Sequence, residues 1–341
     1  PTPDDIFMGT PPLAFTFGLG GMLVFPMWAG ASVYYPDIAY TPQAMAKLIH
    51  DVGATICYTA PTFYRQMAPF MKEQMAQRGT GALRVCVSAG EGLPDATRQL
   101  WKSSTGIEIT DGIGATEMFH IFISSPGGES RRGAIGKVVP GYTAKVVDDN
   151  GNELPRGTVG KLAVIGPTGC KYLDDPRQAK YVKDGWNYPG DAFTQDADGY
   201  FFILGRTDDV INVAGHRLGT REIEECISSH ANIAEVAVVG VADQLKGQVA
   251  MAFAVPKNAA AMESTEARAQ LEAEVMKLVD SQMGAVARPA RVHFVTTLPK
   301  TRSGKLLRRA LQAVAERRDP GDLTTMEDPA ALQQVKALVE A

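Results

Sequence analysis

Residues 83–117 read LRVCVSAGEGLPDATRQLWKSSTGIEITDGIGATE, and this stretch decides the predicted fold. The apolar run Leu83–Val87 predicts a buried strand, Pro94–Ser103 predicts a helix, and Ile107–Thr110 predicts the next strand. A strand, a helix and a strand in this order indicate a parallel pair joined by a crossover helix. A glycine-containing loop follows each strand, and open α/β sheets bind ligands at that end of their strands.

The preceding sequence extends the same pattern. Thr41-Pro42 is typical of a helix N-cap followed by proline in the first turn, and Thr55–Thr59 predicts a short buried strand. Alternating strands and helices predict a mostly parallel sheet with helices on its faces. Ile6–Pro36 lacks charged side chains, but prolines and glycines interrupt it. We therefore interpret it as part of the α/β core and not as a membrane span.

The later sequence predicts two further regions. Tyr142–Val147 and Val159–Ile165 alternate like half-buried strands, with the turn Asp149-Asn150-Gly151 between them, and predict an antiparallel, barrel-like subdomain. From Arg206 onward the strand and helix signals are typical of an α+β domain. The predicted domains are 1–134, an α/β subdomain; 135–205, a barrel-like subdomain; 206–320, an α+β domain; and 321–341, a peripheral tail.

Composition narrows the class of protein. The chain has 341 residues, of which 34 are Lys or Arg and 38 are Asp or Glu, so its formal charge is −4. This length, with 45% hydrophobic residues, suits about two globular domains and excludes a disordered or collagen-like chain. The mild acidity gives no general attraction to nucleic acid. The four scattered cysteines include no C-x-x-C pair, which favours free thiols and a cytoplasmic location.

Three later motifs are dense in charge and glycine. YPGD at Tyr188–Asp191 places a carboxylate after a tight turn, where it suits a ribose diol. GRTDDVINVAGHR at Gly205–Arg217 lies at the predicted domain boundary, and PKTRSGK at Pro299–Lys305 is a basic loop before a basic helix. Each motif alone has an ordinary structural reading, as a turn, a helix cap or a solvated surface charge.

In this order, SAGEGLP, DGIGATE, YPGD, GRTDDVINVAGHR and PKTRSGK resemble the motifs of the adenylate-forming superfamily, and within it the acyl- and aryl-CoA ligases. The resemblance extends to about residue 317. It implies an α/β fold class, with a large domain of parallel sheet and barrel-like subdomain followed by a small, mobile α+β domain. It also implies an ATP-dependent, AMP-forming acid–thiol ligase that converts a carboxylic acid, ATP and CoA to acyl-CoA, AMP and pyrophosphate through an acyl-adenylate.

The resemblance assigns roles to individual residues. Thr116 would contact the α-phosphate, Glu117 would coordinate Mg²⁺, and Lys305 would be the mobile catalytic lysine. Negative charge accumulates on the phosphoryl oxygens during the transfer, so the chemistry needs these cations. The other implied roles are nucleotide contacts at Gly90, Glu91, Gly92, Asp111, Gly112, Asp191 and Arg206, the domain hinge at Asp208, and CoA or phosphate contacts at Gly215 and Arg217.

The acyl substrate is read from TEMFHIFIS at Thr116–Ser124, which is similar to benzoate- and aminobenzoate-CoA ligases. Their histidine after the glutamate lines the acyl pocket, which implies Phe17, Ala89, Ile113, Gly114 and His120 as pocket residues here. The alternative reading of His120 is a core histidine with satisfied hydrogen bonds. We expect an aromatic acid such as benzoate or aminobenzoate. Val210–Arg217 is closer to acetyl- and propionyl-CoA synthetases, so a short or medium-chain aliphatic acid is the first alternative, and a carrier-protein-loading adenylation module is the second.

One family element has no match in the sequence. The Ser/Thr/Gly-rich phosphate loop that ends in Pro-Lys is missing upstream of the aromatic segment, and Ser124–Gly128 lies in the wrong place. We therefore expect a part of a longer ligase that forms the adenylate poorly by itself. The expected partners are the acid, ATP and CoA, without nucleic acid or membrane, and a homodimer stays open. Acetylation of Lys305 would remove its charge and is an expected control point.

Overall fold

The computed structural model describes residues 1–125, 128–262, 264–301 and 305–340, without the side chains of residues 208, 259 and 261. The chain divides into two compact units. The first unit comprises Pro1–Pro189 and Thr194–Phe202, and the second comprises Gly190–Phe193 and Ile203–Ala341. The finer domain boundaries predicted from the sequence stay predictions.

The first unit is built on a mainly parallel sheet. Its strands are β1 (Ile6–Gly9), β2 (Ser32–Val33), β3 (Ile56–Thr59), β4 (Val85–Ser88), β5 (Ile109–Gly114), β6 (Ile121–Ser125) and β7 (Lys137–Val138). The strand order is β2-β1-β3-β4-β5-β6-β7. Neighbours from β2 to β5 pair in parallel, whereas β6 and β7 are antiparallel additions at one edge. The predicted parallel α/β sheet is confirmed.

Both faces of this sheet are covered, because successive strand residues point to opposite sides. Cys57 packs against the helices of one face, whereas Ile56 and Tyr58 pack with Met22 on the other. The helices are α1 (Thr16–Leu19), a π-helical turn (Gly20–Val24), α2 (Phe25–Ala29), α3 (Pro42–Asp51), α4 (Pro61–Arg78) and α5 (Asp95–Thr105). Thr41 caps α3 as predicted, because its hydroxyl accepts a hydrogen bond from the Ala44 amide at 3.2 Å.

A second sheet follows the first along the chain. Its elements are β8 (Thr143–Val147), β9 (Gly160–Ile165), α6 (Gln178–Tyr181), β10 (Val182–Lys183), β11 (Trp186–Asn187), β12 (Asp191–Gln195) and β13 (Phe201–Arg206). The strand order is β10-β11-β9-β12-β13, and β8 lies beside β9. The pairs β8–β9, β9–β11 and β10–β11 are antiparallel, as the alternating pattern predicts.

The second unit contains the α+β region. Its elements are β14 (Ile211–Val213), β15 (His216–Leu218), α7 (Thr220–Ser228), β16 (Ile233–Asp243), β17 (Gly247–Pro256), α8 (Thr265–Met283), β18 (Arg291–Phe294), α9 (Arg308–Ala315) and α10 (Pro329–Glu340). The strand order is β15-β14-β17-β16, with β18 parallel to β17. In one hydrophobic cluster, α7 and α8 pack against the sheet. In a second cluster, α9 and α10 pack against other residues of the same sheet.

The structure differs from the sequence reading at the tail. The sequence predicts a peripheral tail over residues 321–341, but α10 buries Leu332, which is 6% exposed, and Val335, which is fully buried. Both side chains join the cluster around Leu311 of α9. The many alanine and glutamine residues of α10 make it look polar in the sequence, although its apolar residues recur at helical spacing.

The uncharged segment near the start of the chain forms short pieces of regular structure. It contributes β1, β2 and the helices between them, interrupted at glycine and proline. Among the described residues, the helices are all too short or too polar to cross a bilayer.

Candidate active site

The loops rich in glycine emerge side by side from one edge of the first sheet. Thr59 pairs with Ser88, and Ser88 pairs with Asp111, so β3 and β4 end at the level of Asp111, whereas β5 continues to Gly114. Because these strands are parallel, the segments that follow them lie on the same side of the sheet. The structure therefore brings together the two glycine loops that the sequence singles out.

The first loop contains Gly90 and Glu91. Gly90 has φ +88°, a left-handed conformation that favours glycine, and an added Cβ would meet no atom within 4 Å. Glu91 has a structural contact that the motif did not predict. Its Oε2 accepts hydrogen bonds from the amide and hydroxyl of Thr62 at 3.3 and 2.8 Å. Glu91 thereby caps the N-terminus of α4, whose own N-cap residue Ala60 supplies no side-chain bond.

The sequence predicts a loop from Asp111, but Asp111–Gly114 extends β5 and pairs with β6 in an antiparallel arrangement. Asp111 is 5% exposed. A Cβ added at Gly112 would lie 2.7 Å from the Ile121 side chain, and one added at Gly114 would lie 2.4 Å from the His120 carbonyl oxygen. These glycines are required by the neighbouring strand, whatever ligand the loop binds.

Thr116 and Glu117 occupy the 3₁₀ turn Thr116–Met118 at the end of β5. Thr116 is exposed and Glu117 is half-buried. The hydroxyl of Tyr172 donates to Glu117 Oε1. This hydrogen bond, followed by burial, raises the pKa of Tyr172 to about 12. No sequence motif indicated Tyr172.

The donor set at Glu117 suits Mg²⁺. The described residues contain no group of three His, Cys, Asp or Glu side chains that could hold a metal. Mg²⁺ is commonly held by one or two carboxylates together with substrate phosphates, so such a group is not needed. A carboxylate has about four lone-pair positions, and the bond from Tyr172 leaves Glu117 able to coordinate a cation.

His120 lies in a cage of aromatic rings. Its ring centroid is 4.6 Å from Phe25, 5.7 Å from Phe17, and 6.3 Å from both Tyr58 and Phe119. The side chain is nine-tenths buried, and Nε2 has no hydrogen-bond partner in the described structure. Burial lowers the pKa of His120 to about 4, against a smaller opposing effect of a hydrogen bond with the Phe17 backbone. The imidazole is therefore neutral near pH 7.

The predicted pocket residues surround this cage to different degrees. Phe17 is in direct ring contact with His120, whereas Ala89 is buried and Ile113 and Gly114 are half-buried at the strand ends. Sequence reasoning missed Gly20, where an added Cβ would lie 2.4 Å from His120 Cδ2. Glycine at this place lets the π-helical turn lie directly on the imidazole, and π-turns are frequent at functional sites.

The second unit holds another group of predicted residues. Asp191 is 8% exposed and forms an ion pair with Arg206 at 3.4 Å. Burial raises the pKa of Asp191 to about 6, although Arg206 acts in the opposite direction. Gly190 is needed there, because it has φ +85° and an added Cβ would lie 2.5 Å from Arg206 Nη2.

The remaining predicted residues lie on exposed turns of the second unit. Gly215 has φ +87° at the turn between β14 and β15, and Arg217 is exposed in β15. Lys305 is exposed, and its amide donates to Thr301 Oγ1 at 3.1 Å. The side chain of Asp208 and residues 302–304 of the lysine loop lie outside the described part of the chain.

Known proteins are similar to this chain in sequence and in structure. A propionate–CoA ligase from Salmonella typhimurium is 39% identical over 352 residues, covering 98% of this chain and 56% of the ligase. A benzoate–CoA ligase from Thauera aromatica is 33% identical over 312 residues, covering 91% and 58%. The crystal structure of an anthranilate CoA ligase in complex with anthranoyl-AMP has a TM-score of 0.79 at 36% identity, covering 89% and 57%.

The chain thus spans little more than half the length of these relatives. The family described as AMP-binding enzyme matches residues 1–171, and the AMP-binding enzyme C-terminal domain matches residues 222–305. These matches cover the sheet with its glycine loops and most of the α+β region. The chain belongs to the AMP-binding enzyme family.

Proposed function

We propose that the chain carries the nucleotide and acyl-adenylate site of an AMP-forming acid–CoA ligase. The carboxylate of the acid attacks the α-phosphorus of ATP and pyrophosphate leaves. The CoA thiol then attacks the acyl carbon of the adenylate and AMP leaves. Membership of the family and the neighbouring glycine loops support this proposal.

Different residues of this chain have different roles in the first step, which forms the adenylate. Glu117 would hold Mg²⁺, which when bound neutralises charge on the phosphate oxygens, and Thr116 beside it contacts the α-phosphate. Asp191 and Arg206 hold the ribose, and the glycine loops around Gly90 and Asp111 take the adenine. The catalytic lysine is Lys305, whose exposure leaves its ammonium group available to a phosphoryl oxygen.

The second step involves the second unit. Asp208 acts as the hinge, and the turn at Gly215 passes the pantetheine arm while Arg217 contacts phosphate. A glycine at φ +87° leaves the turn without a side chain, which favours close passage of a narrow substrate.

The acyl substrate is an aromatic acid, and the ring cage of His120 is the observation that carries this assignment. Phe17, Phe25, Tyr58 and Phe119 enclose a neutral imidazole, so the wall is apolar and suited to edge-to-face or offset packing of another ring. A relative named as a benzoate–CoA ligase and a structure with anthranoyl-AMP agree with this substrate class.

A short aliphatic acid is the second candidate. The relative named as a propionate–CoA ligase is 39% identical, more than the 33% of the benzoate–CoA ligase. Identity over the whole chain weights every residue equally, whereas substrate choice depends on the few that contact the acyl group. We therefore give the ring cage more weight.

Binding of adenylate mimics to the chain tests both candidates. We expect benzoyl-sulfamoyl-adenosine to bind at least about tenfold tighter than the propionyl analogue in calorimetric titrations, because the ring buries more apolar area. Replacing His120 with alanine should remove most of this preference and leave the affinity for AMP unchanged.

A matched control is His50→Ala, since His50 lies on α3 outside the cage and bonds the Gly79 carbonyl oxygen. It should bind both analogues like the parent chain. Equal or tighter binding of the propionyl analogue would support the aliphatic candidate, and failure to bind either analogue or AMP would contradict a nucleotide site.

Two further properties follow from the same proposal. The four cysteines, all within the described ranges, are free thiols, which supports a cytoplasmic location. Lys305 is exposed and therefore accessible to acetylation, which would remove the positive charge needed at the phosphate.

A further inference from the structure

The segment that joins Glu117 to His120 is a strained turn. Phe119 has φ 68° and ψ −51°, a conformation with positive φ that non-glycine residues rarely adopt. The amide of His120 donates to the carbonyl oxygen of Met118 at 2.9 Å, which closes a three-residue γ-turn. The γ-turn with positive φ is rare and strained, so its surroundings must hold it.

One loop supplies a side chain that holds this turn. We call residues 166–177, between β9 and α6, the 166–177 loop. The hydroxyl of Thr168 donates to the same Met118 carbonyl oxygen at 2.7 Å. Because the Thr168 hydroxyl proton takes part in that bond, Thr168 Oγ1 accepts from the Tyr142 hydroxyl, which lies 2.7 Å away. Gly166 admits the tyrosine, because an added Cβ would lie 2.2 Å from Tyr142 Cδ1.

The same loop holds the other side of the turn through Tyr172. The Tyr172 hydroxyl donates to Glu117 Oε1. Its position is fixed in turn, since its amide donates to Gln178 Oε1 at 2.7 Å and the Arg177 guanidinium lies 5.1 Å from its ring centroid. Two hydrogen bonds from one loop therefore converge on the four-residue segment Glu117–His120.

We propose that Thr168 and Tyr172 are positioning residues, which fix the γ-turn at Phe119 so that Glu117 and His120 take their places together. Thr168 sets the turn that orients His120 toward the acyl group, and Tyr172 sets the Glu117 carboxylate toward the cation. The inference rests on the proposed function for the roles of Glu117 and His120. The γ-turn and its two hydrogen bonds stand independently of that function.

Paired substitutions at Thr168 test the first half. Thr168→Val keeps the shape and removes the hydroxyl, whereas Thr168→Ser keeps the hydroxyl. We expect the valine variant to bind benzoyl-sulfamoyl-adenosine about tenfold more weakly and the serine variant to stay within about twofold of the parent. The ¹³Cα and ¹³Cβ chemical shifts of labelled Phe119, which report its φ, should move in the valine variant alone. Thr158→Val, on an exposed turn of the second sheet, is the matched control.

Tyr172→Phe tests the second half without losing the ring. Loss of a hydrogen bond to a metal-binding carboxylate commonly weakens metal affinity about tenfold or more. We expect a rise of about this size in the Mn²⁺ concentration needed for ATP binding, with an unchanged midpoint of thermal unfolding. Tyr200→Phe is the control, since the Tyr200 ring lies between Arg131 and Lys137, with the cations 4.3 and 4.6 Å from its centroid.

The outcomes separate this inference from the proposed function. If neither Thr168 variant changes the Phe119 shifts or the analogue affinity, and Tyr172→Phe leaves the Mn²⁺ dependence unchanged, the positioning role is overturned. In another outcome, the parent chain binds no nucleotide, but the chemical shifts of Phe119 still move in Thr168→Val and not in Thr168→Ser. The proposed function is then contradicted, whereas the role of Thr168 in fixing the γ-turn is supported.

Discussion

Two buried aspartates, Asp5 and Asp191, have opposite effects on the stability of the fold. Asp5 accepts hydrogen bonds from Thr55 at 2.7 Å and from Arg84 at 2.7 Å to each carboxylate oxygen. Burial alone would raise the pKa of Asp5, but these bonds lower it to about 2. Asp191 has the longer ion pair with Arg206, and burial raises the pKa of Asp191 to about 6. The ionised carboxylate of Asp5 therefore stabilises the fold at neutral pH, whereas ionisation of the buried Asp191 lowers the free energy of unfolding.

Replacing Asp191 with asparagine should stabilise the chain above pH 6. The folded-state pKa of about 6 exceeds the unfolded value of about 3.9, so the favourable contribution is complete below pH 4 and disappears as the pH rises through 6. Asp191→Asn removes this dependence, and its free energy of unfolding at pH 7.5 should exceed that of the parent by up to about 2–3 kcal/mol. Urea unfolding at several pH values measures the difference.

The same variant should bind AMP about tenfold more weakly, because the charge-assisted bonds to the ribose are lost. Asp198→Asn is the control, since Asp198 is 67% exposed and should show neither effect. An asparagine variant that is less stable than the parent at pH 7.5 would contradict the cost assigned to the buried charge.

At the scale of elements, glycines let the π-helical turn touch the aromatic cage. An added Cβ would lie 2.4 Å from the imidazole at Gly20 and 2.6 Å from the Tyr58 ring at Gly21. The spacing of glycines in the sequence predicted interruptions in an apolar segment. It did not predict which ring each glycine would face, because those rings come from residues 58 and 120.

The helix α10 provides an element whose contribution can be measured. Leu332 is 6% exposed and packs in the cluster of α9 and β16. Leu332→Ala should lower the free energy of unfolding by about 2–5 kcal/mol, because burial is lost and a cavity remains. Chemical denaturation followed by circular dichroism measures the change.

Gln333→Ala on the exposed face of α10 should change stability by less than about 0.5 kcal/mol. If Leu332→Ala were as stable as this neighbour, α10 would be peripheral after all, as the sequence reading expected.

For the whole molecule, each compact unit has its own hydrophobic core. The first unit buries Met67 among residues of α3, α4 and α5, and the second buries Leu271 among residues of α7, α8 and the sheet that contains β16 and β17. Units with separate cores are able to unfold separately.

We therefore expect two transitions in differential scanning calorimetry, each assignable by one substitution. Met67→Ala should lower the transition of the first unit and Leu271→Ala that of the second, each through the loss of about 2–5 kcal/mol of core packing. A single transition that both variants lower by the same amount would show that the chain unfolds as one cooperative body.

The sequence by itself determined several of the elements and the order of the motifs that carry chemistry. Periodicity and caps predicted β3, β4, α3 and the glycine loops, since these signals act within a few residues along the chain. Ordered motifs likewise indicated the family, and the motif after β5 led to His120 and Glu117.

Only the tertiary structure decided what surrounds those residues. The hydrogen bonds of Tyr172 and Thr168 to the turn after β5 join residues about fifty positions apart, and the capping of α4 by Glu91 joins residues 29 apart. Such contacts depend on which strand ends meet and on how closely two backbones approach. Local propensity contains no information about either, because it is set by a residue's own neighbours in sequence.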